Sequence, residues 1–187
     1  MLATIAVASI VVLAGMLLRS PFANAGVNSG TPPEFTHSDA QSWLNSKPIT
    51  LASLKGQVVL IDFWTFECWN CYRSFPWLNT VYDDFHSKGL AVVGVHTPEF
   101  DREKVRGNIL KKIIEFGVKN PVMIDNDHSY WNALNNQYWP AFYLIDRQGR
   151  LRAVFAGETH AGDAQARQIE AKVVELLAEP AGRFPSS

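Results

Sequence analysis

Four stretches of the chain are mostly apolar and of strand length: Val58 to Trp64, Leu90 to Thr97, Pro121 to Asp125 and Ala141 to Asp146. Near-continuous apolar runs of this length fit strands covered on both faces of a sheet. Between them the period changes to a helical one, over Tyr72 to Ser87, Glu103 to Phe116 and the shorter Ser129 to Asn136. In the first of these, Phe75, Leu78, Val81, Tyr82 and Phe85 fall on one stripe and read as core. After the turn "DRQGR", with Gly149, comes a further strand, "LRAVFAG". A helix from Asp163 to Leu177 then sets Ile169, Val173, Val174 and Leu177 on one face. Strand, helix, strand, helix, strand, helix, hairpin and final helix predict an α/β sandwich, a mixed central sheet flanked by helices.

The N-terminus has a different pattern. Leu2 to Leu18 carries no charge, and the small-x-small triplet Ala23-Asn24-Ala25 follows shortly after. Residues 1–25 therefore read as a signal peptide or an uncleaved signal anchor, which places the folded part in the periplasm or otherwise outside the cytoplasm. Against the usual charge asymmetry, no Lys or Arg precedes the apolar run and Arg19 follows it. Residues 26–36, "GVNSGTPPEFT", read as a linker, residues 37–180 as one domain and 181–187 as a tail. A chain of 187 residues, 47% apolar and 12% aromatic, can bury one sizeable core. Its formal net charge of -1 gives no basic face for nucleic acid.

The only two cysteines stand in "CWNC", Cys68 and Cys71. Structural zinc needs four ligands, and His37, His86, His96, His128 and His160 are scattered singly, so no metal and no cofactor is expected. A bridge closing so short a loop removes little chain entropy and would stabilise poorly. Reversible dithiol chemistry remains. The pair follows a buried strand and opens a helix, so Cys68 meets the unpaired N–H groups and positive dipole end that favour a thiolate. Cys68 is then the nucleophile, and Cys71, a turn further in, the resolving thiol of a redox-active disulfide.

The segment "VVLIDFWTFECWNC" resembles the active-site segment of the thioredoxin superfamily. The resemblance extends through "LASLKGQVVLIDFWTFECWNC", "GLAVVGVHTPEF", "YWNALNNQYWPAFYLIDRQGRLR" and "FAGE", over most of residues 43 to 158. It is nearest to the exported TlpA-like or redoxin branch, in particular the soluble domain of DipZ-type membrane thiol transporters. It implies a thioredoxin-like sandwich, with an inserted strand-helix unit accounting for the long spacing from Cys68 to Pro140. It also implies a thiol-disulfide oxidoreductase acting on protein thiols and disulfides, as a reductant recharged by a membrane thiol relay. Asp62, six residues before Cys68, corresponds to the buried acid that takes the proton of the resolving cysteine. Pro76 would kink the first helix. Trp139-Pro140 resembles the cis-proline beside the dithiol, and Gly157 fits a glycine after the last strand. Trp69, Asn70, Trp139 and Pro140 would face substrate, and Glu99 would shuttle protons. Glu67 reads as a solvated charge and His96 as a packed strand-end residue.

Two other readings are open to simple tests. Thr65-Phe66-Glu67-Cys68 matches the Thr-x-x-Cys part of a peroxiredoxin motif, but Ile61 stands where that motif needs proline. A non-catalytic binding or metallochaperone accessory module could use the same fold without reducing insulin.

Overall fold

β2 (Val58–Trp64) is buried at all seven positions and forms the spine of the sheet. It pairs in parallel with β3 (Leu90–His96) and antiparallel with β5 (Ala141–Ile145). With β1 (Trp43–Leu44), β4 (Val122–Ile124) and β6 (Leu151–Ala156), the order is β1-β4-β3-β2-β5-β6, a mixed sheet. β1 and β6 run antiparallel to their neighbours and β4 parallel to β3. Chain reversal from β5 to β6 is made at Gly149, whose φ of 81° suits glycine. The coordinates are those of a computed structural model, which describes residues 30–181. The leader expected at residues 1–25, the start of the linker and residues 182–187 of the tail lie outside the described residues. Among the described residues, no helix is long and apolar enough to cross a membrane.

Two layers cover the sheet. Val58, Leu60 and Trp64 pack with α1 (Trp69–Phe85), α2 (Arg106–Glu115) and α4 (Ala164–Ala178), while Val59, Ile61 and Phe63 join Phe35, Trp43 and Tyr130 of α3 (Ser129–Ala133) on the other face. Strand alternation sends residues of even and odd number to opposite layers. β4 with α3 occupies the stretch between α2 and β5 where the spacing required an extra strand and helix.

Several boundaries differ from the sequence expectation for local reasons. α1 begins at Trp69 rather than Tyr72, because Cys68 itself is the N-cap and the whole dithiol motif lies in the cap and first turn. The helix expected from Glu103 is split into a 3₁₀ turn, Asp101–Lys104, and α2, with Val105 extended between them. α3 stops at Ala133, and Asn135 (φ 51°) turns the chain away. The linker boundary also moves: Phe35 is buried against Trp43 and Tyr130, and the Glu34 carboxylate accepts the N–H groups of Leu51 and Ala52. Residues 30–36 therefore pack onto the domain, where the Gly30 carbonyl also accepts the Leu151 N–H and the Thr36 hydroxyl the Ser129 hydroxyl, although their Gly and Pro content suggested little to bury.

Candidate active site

Cys68 and Cys71 are joined in a disulfide, with Cα atoms 5.2 Å apart. A helix start normally takes an oxygen-bearing side chain at the N-cap. Here the Cys68 sulfur fills that role, accepting the Cys71 N–H at 3.2 Å. Cys68 is partly exposed, whereas Cys71 is 2% exposed and packs within the core layer under α1. The two sulfurs therefore differ in access to solvent. In the reduced state the same N–H and the α1 dipole would face a Cys68 thiolate.

Asp62 stands at the centre of β2, opposite Gly94 of β3 and Phe142 of β5. Alternation puts its side chain on the face of Leu60 and Trp64, the layer that also contains Cys71. At 3% exposure its carboxyl is pushed up to about 8 by burial. His96 ends β3, fully buried against the Trp64 ring (4.8 Å), and burial pulls it down to about 3. It is a neutral packed residue.

Of the substrate-facing candidates, Trp69 and Asn70 lie within the dithiol motif and Trp139 and Pro140 directly precede β5. Trp69 is 65% exposed and lies 5.4 Å from the Tyr72 ring. Asn70 is exposed, and its carbonyl accepts the Ser74 hydroxyl at 2.8 Å. The Trp139-Pro140 peptide is cis, and the Pro140 carbonyl accepts the Gly157 N–H at 2.9 Å. Trp139 is half-buried; it packs against the same core layer as Cys68 and lies 4.2 Å from the Trp131 ring. Pro76 sits inside α1, where it removes one backbone donor. A groove of about 330 Å³ beside Cys68 is lined by Phe66, Trp69, Tyr72, Lys112, Glu115 and Phe116. Of these linings, Lys112, Glu115 and Phe116 were not apparent as site residues in the sequence, because they come from α2 and its end and only tertiary packing brings them to α1.

Charge around the motif is also arranged by tertiary contacts. Glu67, read as a solvated charge, is exposed but bonded to Arg102, whose hydrogen bond holds its carboxyl below the usual range. Its negative charge is thereby matched beside Cys68. Glu99, the candidate shuttle, lies exposed in the loop after β3, where its N–H donates to Glu103 at 2.8 Å. Glu103, which the sequence did not single out, is fully buried. His37, isolated in sequence, lies 3.4 Å from Asp125 and 3.1 Å from Asp127. Asp125 already accepts the Tyr130 and Trp131 N–H groups and the Thr97 hydroxyl, so this cluster ties the domain's first residues to the start of α3.

The model of the redoxin family matches residues 28–172. The chain belongs to the redoxin family. The redoxin is 41% identical over 159 residues to protein DipZ of Mycobacterium bovis, an alignment covering 83% of this chain and 22% of DipZ. It thus spans less than a quarter of that relative's length. It is 33% identical over 148 residues to the thiol-disulfide oxidoreductase YkuV of Bacillus subtilis, covering 79% of this chain and 94% of YkuV. Among solved structures, a thiol-disulfide isomerase from Corynebacterium glutamicum shares the fold, with a TM-score of 0.65 over 82% of this chain and 99% of that one, at 22% identity. The described residues thus combine a redoxin fold with a Cys-x-x-Cys disulfide at a helix N-terminus.

Proposed function

We propose that this redoxin acts outside the cytoplasm as a reductant of protein disulfides, with electrons returned to it by a membrane thiol relay. The observation that carries the chemistry is the placement of the Cys68 sulfur on the Cys71 N–H at the start of α1, with Cys71 buried behind it. The Cys68 thiolate attacks one sulfur of a substrate disulfide, forming a mixed disulfide as the other substrate sulfur leaves as thiolate. The ionised form of Asp62, which grows in as pH rises toward about 8, then accepts the Cys71 proton, and the Cys71 thiolate attacks the Cys68 sulfur. The Cys68–Cys71 disulfide closes and the second substrate thiolate departs, so two electrons pass to the substrate. Trp69, Asn70 and the Trp139-Pro140 loop form the rim that receives the partner.

The extracytoplasmic location is supported by the uncharged run Leu2 to Leu18 and the triplet Ala23-Asn24-Ala25. The relay is supported by likeness to DipZ, of which a domain of this kind is one part. Equilibration of the purified protein with glutathione tests the direction. A reduction potential near the thioredoxin end of the scale, about -270 mV, with turnover in insulin reduction, is the expected result; a value near -120 mV would make it an oxidant. Failure to reduce insulin at all would favour the accessory-module reading.

A further inference from the structure

We propose that Glu103 is a positioning residue for Cys68, acting through the three residues that lead into the dithiol. Its carboxylate is fully buried and accepts from four donors, the full capacity of the group. One oxygen takes the Thr65 hydroxyl and the Glu67 N–H (2.9 Å); the other takes the Glu99 and Phe100 N–H groups, both at 2.8 Å. The first pair belongs to the segment between β2 and α1, and the second to the loop after β3. A single side chain thus clamps the two loops together immediately before the nucleophile. Glu67 is the residue preceding Cys68, and the Cys68 N–H in turn points to the Thr65 carbonyl at 3.4 Å. These bonds hold Cys68 in the extended N-cap conformation (φ -72°, ψ 105°) in which its sulfur meets the Cys71 N–H.

The clamp has an electrostatic cost that makes the proposal testable. A buried carboxylate near a thiol disfavours the thiolate, so charge alone predicts that removing Glu103 makes Cys68 more acidic. Positioning predicts the reverse, because a Cys68 released from the N-cap loses the donor and dipole that stabilise its thiolate. Thr65→Val separates the two effects, since it removes one hydroxyl donor and leaves the charge in place.

The experiment follows the rate of Cys68 alkylation against pH in the full reduced chain, read by peptide mass spectrometry, for the wild type, Glu103→Gln, Thr65→Val and Thr65→Ser. Both Glu103→Gln and Thr65→Val should raise the apparent pKa of Cys68, slowing alkylation at pH 6 by about threefold or more. Thr65→Ser, which keeps the hydroxyl, should restore wild-type behaviour. The reduction potential of the first two should move to more negative values, because the reduced form loses its stabilised thiolate. A lowered or unchanged Cys68 pKa in either variant overturns the proposal, including the case where only thermal stability falls. Should Glu103→Gln fail to fold, Thr65→Val, which keeps the side chain's shape, decides alone.

Discussion

Asp62 and His96 occupy adjacent strands, and their buried states pull stability in opposite directions with pH. Asp62 keeps its proton in the fold up to about 8 but releases it near the ordinary 3.8 when unfolded. Folding therefore takes up a proton between those values, and this contribution weakens stability as pH rises from about 4 to about 8. His96 stays neutral in the fold down to about 3, whereas the unfolded chain protonates it below 6.5, so its contribution weakens stability as pH falls through that window. The two slopes oppose each other from about 4 to 6.5, and only Asp62 acts from there to 8. Asp62→Asn should therefore flatten the decline in denaturant stability between pH 6.5 and 8 and gain on the order of 2 kcal/mol at pH 8. The same variant should slow resolution of a mixed disulfide while sparing the first attack, which stopped-flow kinetics with a fluorescent disulfide separates. A pH-independent difference between the two proteins, with resolution unchanged, would make Asp62 merely structural. The cysteine pair at a helix start and the burial of Asp62 were legible because strand, dithiol and helix are contiguous in sequence. Glu103 was not, since its Glu67 and Thr65 partners lie 36 and 38 residues away and its own neighbours read as an ordinary exposed helix start.

The α1 helix links the chemistry to the rest of the fold, and its contacts show what an apolar stripe does and does not reveal. Phe75, Leu78 and Val81 are buried as their spacing predicted, while Tyr82 and Phe85 pack at the margin of the same layer. The polar ties were hidden. Ser74 is 3% exposed; its hydroxyl donates to the Asn70 carbonyl and accepts the Thr159 N–H at 3.0 Å, tying the turn beneath the dithiol to the loop after β6. That loop also carries Gly157, which is bonded to Pro140. A serine inside a helix normally reads as a weak helix former, and nothing local signals a partner 85 residues away. Ser74→Ala would leave the buried Thr159 N–H without its acceptor and should cost about 1–3 kcal/mol in urea unfolding. Ser74→Thr, which retains the hydroxyl, should recover much of that loss. Equal stability of the alanine variant and the wild type would show that another acceptor reaches the Thr159 N–H.

At the scale of the whole molecule, alternation of apolar runs and helical stripes gave the α/β class, but strand order was not legible from it. Placing β5 antiparallel beside β2, with β1 capping β4 through only two residues, depends on long-range pairing that no local pattern encodes. That order brings the Pro140 loop to the end of the sheet where α1 begins, since Phe63 pairs with Ala141 and Gly157 with Pro140. A partner polypeptide held on the rim of Trp69 and the Trp139-Pro140 loop would present its sulfur to Cys68 from that end. Cys71→Ser removes the thiol that releases such a partner, so the Cys68 mixed disulfide should persist long enough to isolate. The full chain bearing this substitution, expressed in its native cell, acid-quenched and alkylated, should yield adducts that vanish on reduction. Under the export proposed above, for which the uncharged run Leu2 to Leu18 is the support, exported cysteine-containing proteins or a membrane thiol protein are the expected partners. Adducts with cytoplasmic proteins alone would overturn the location while leaving the dithiol chemistry intact. Absence of any reducible adduct, with Cys68 still alkylating rapidly, would instead overturn protein disulfides as the substrate.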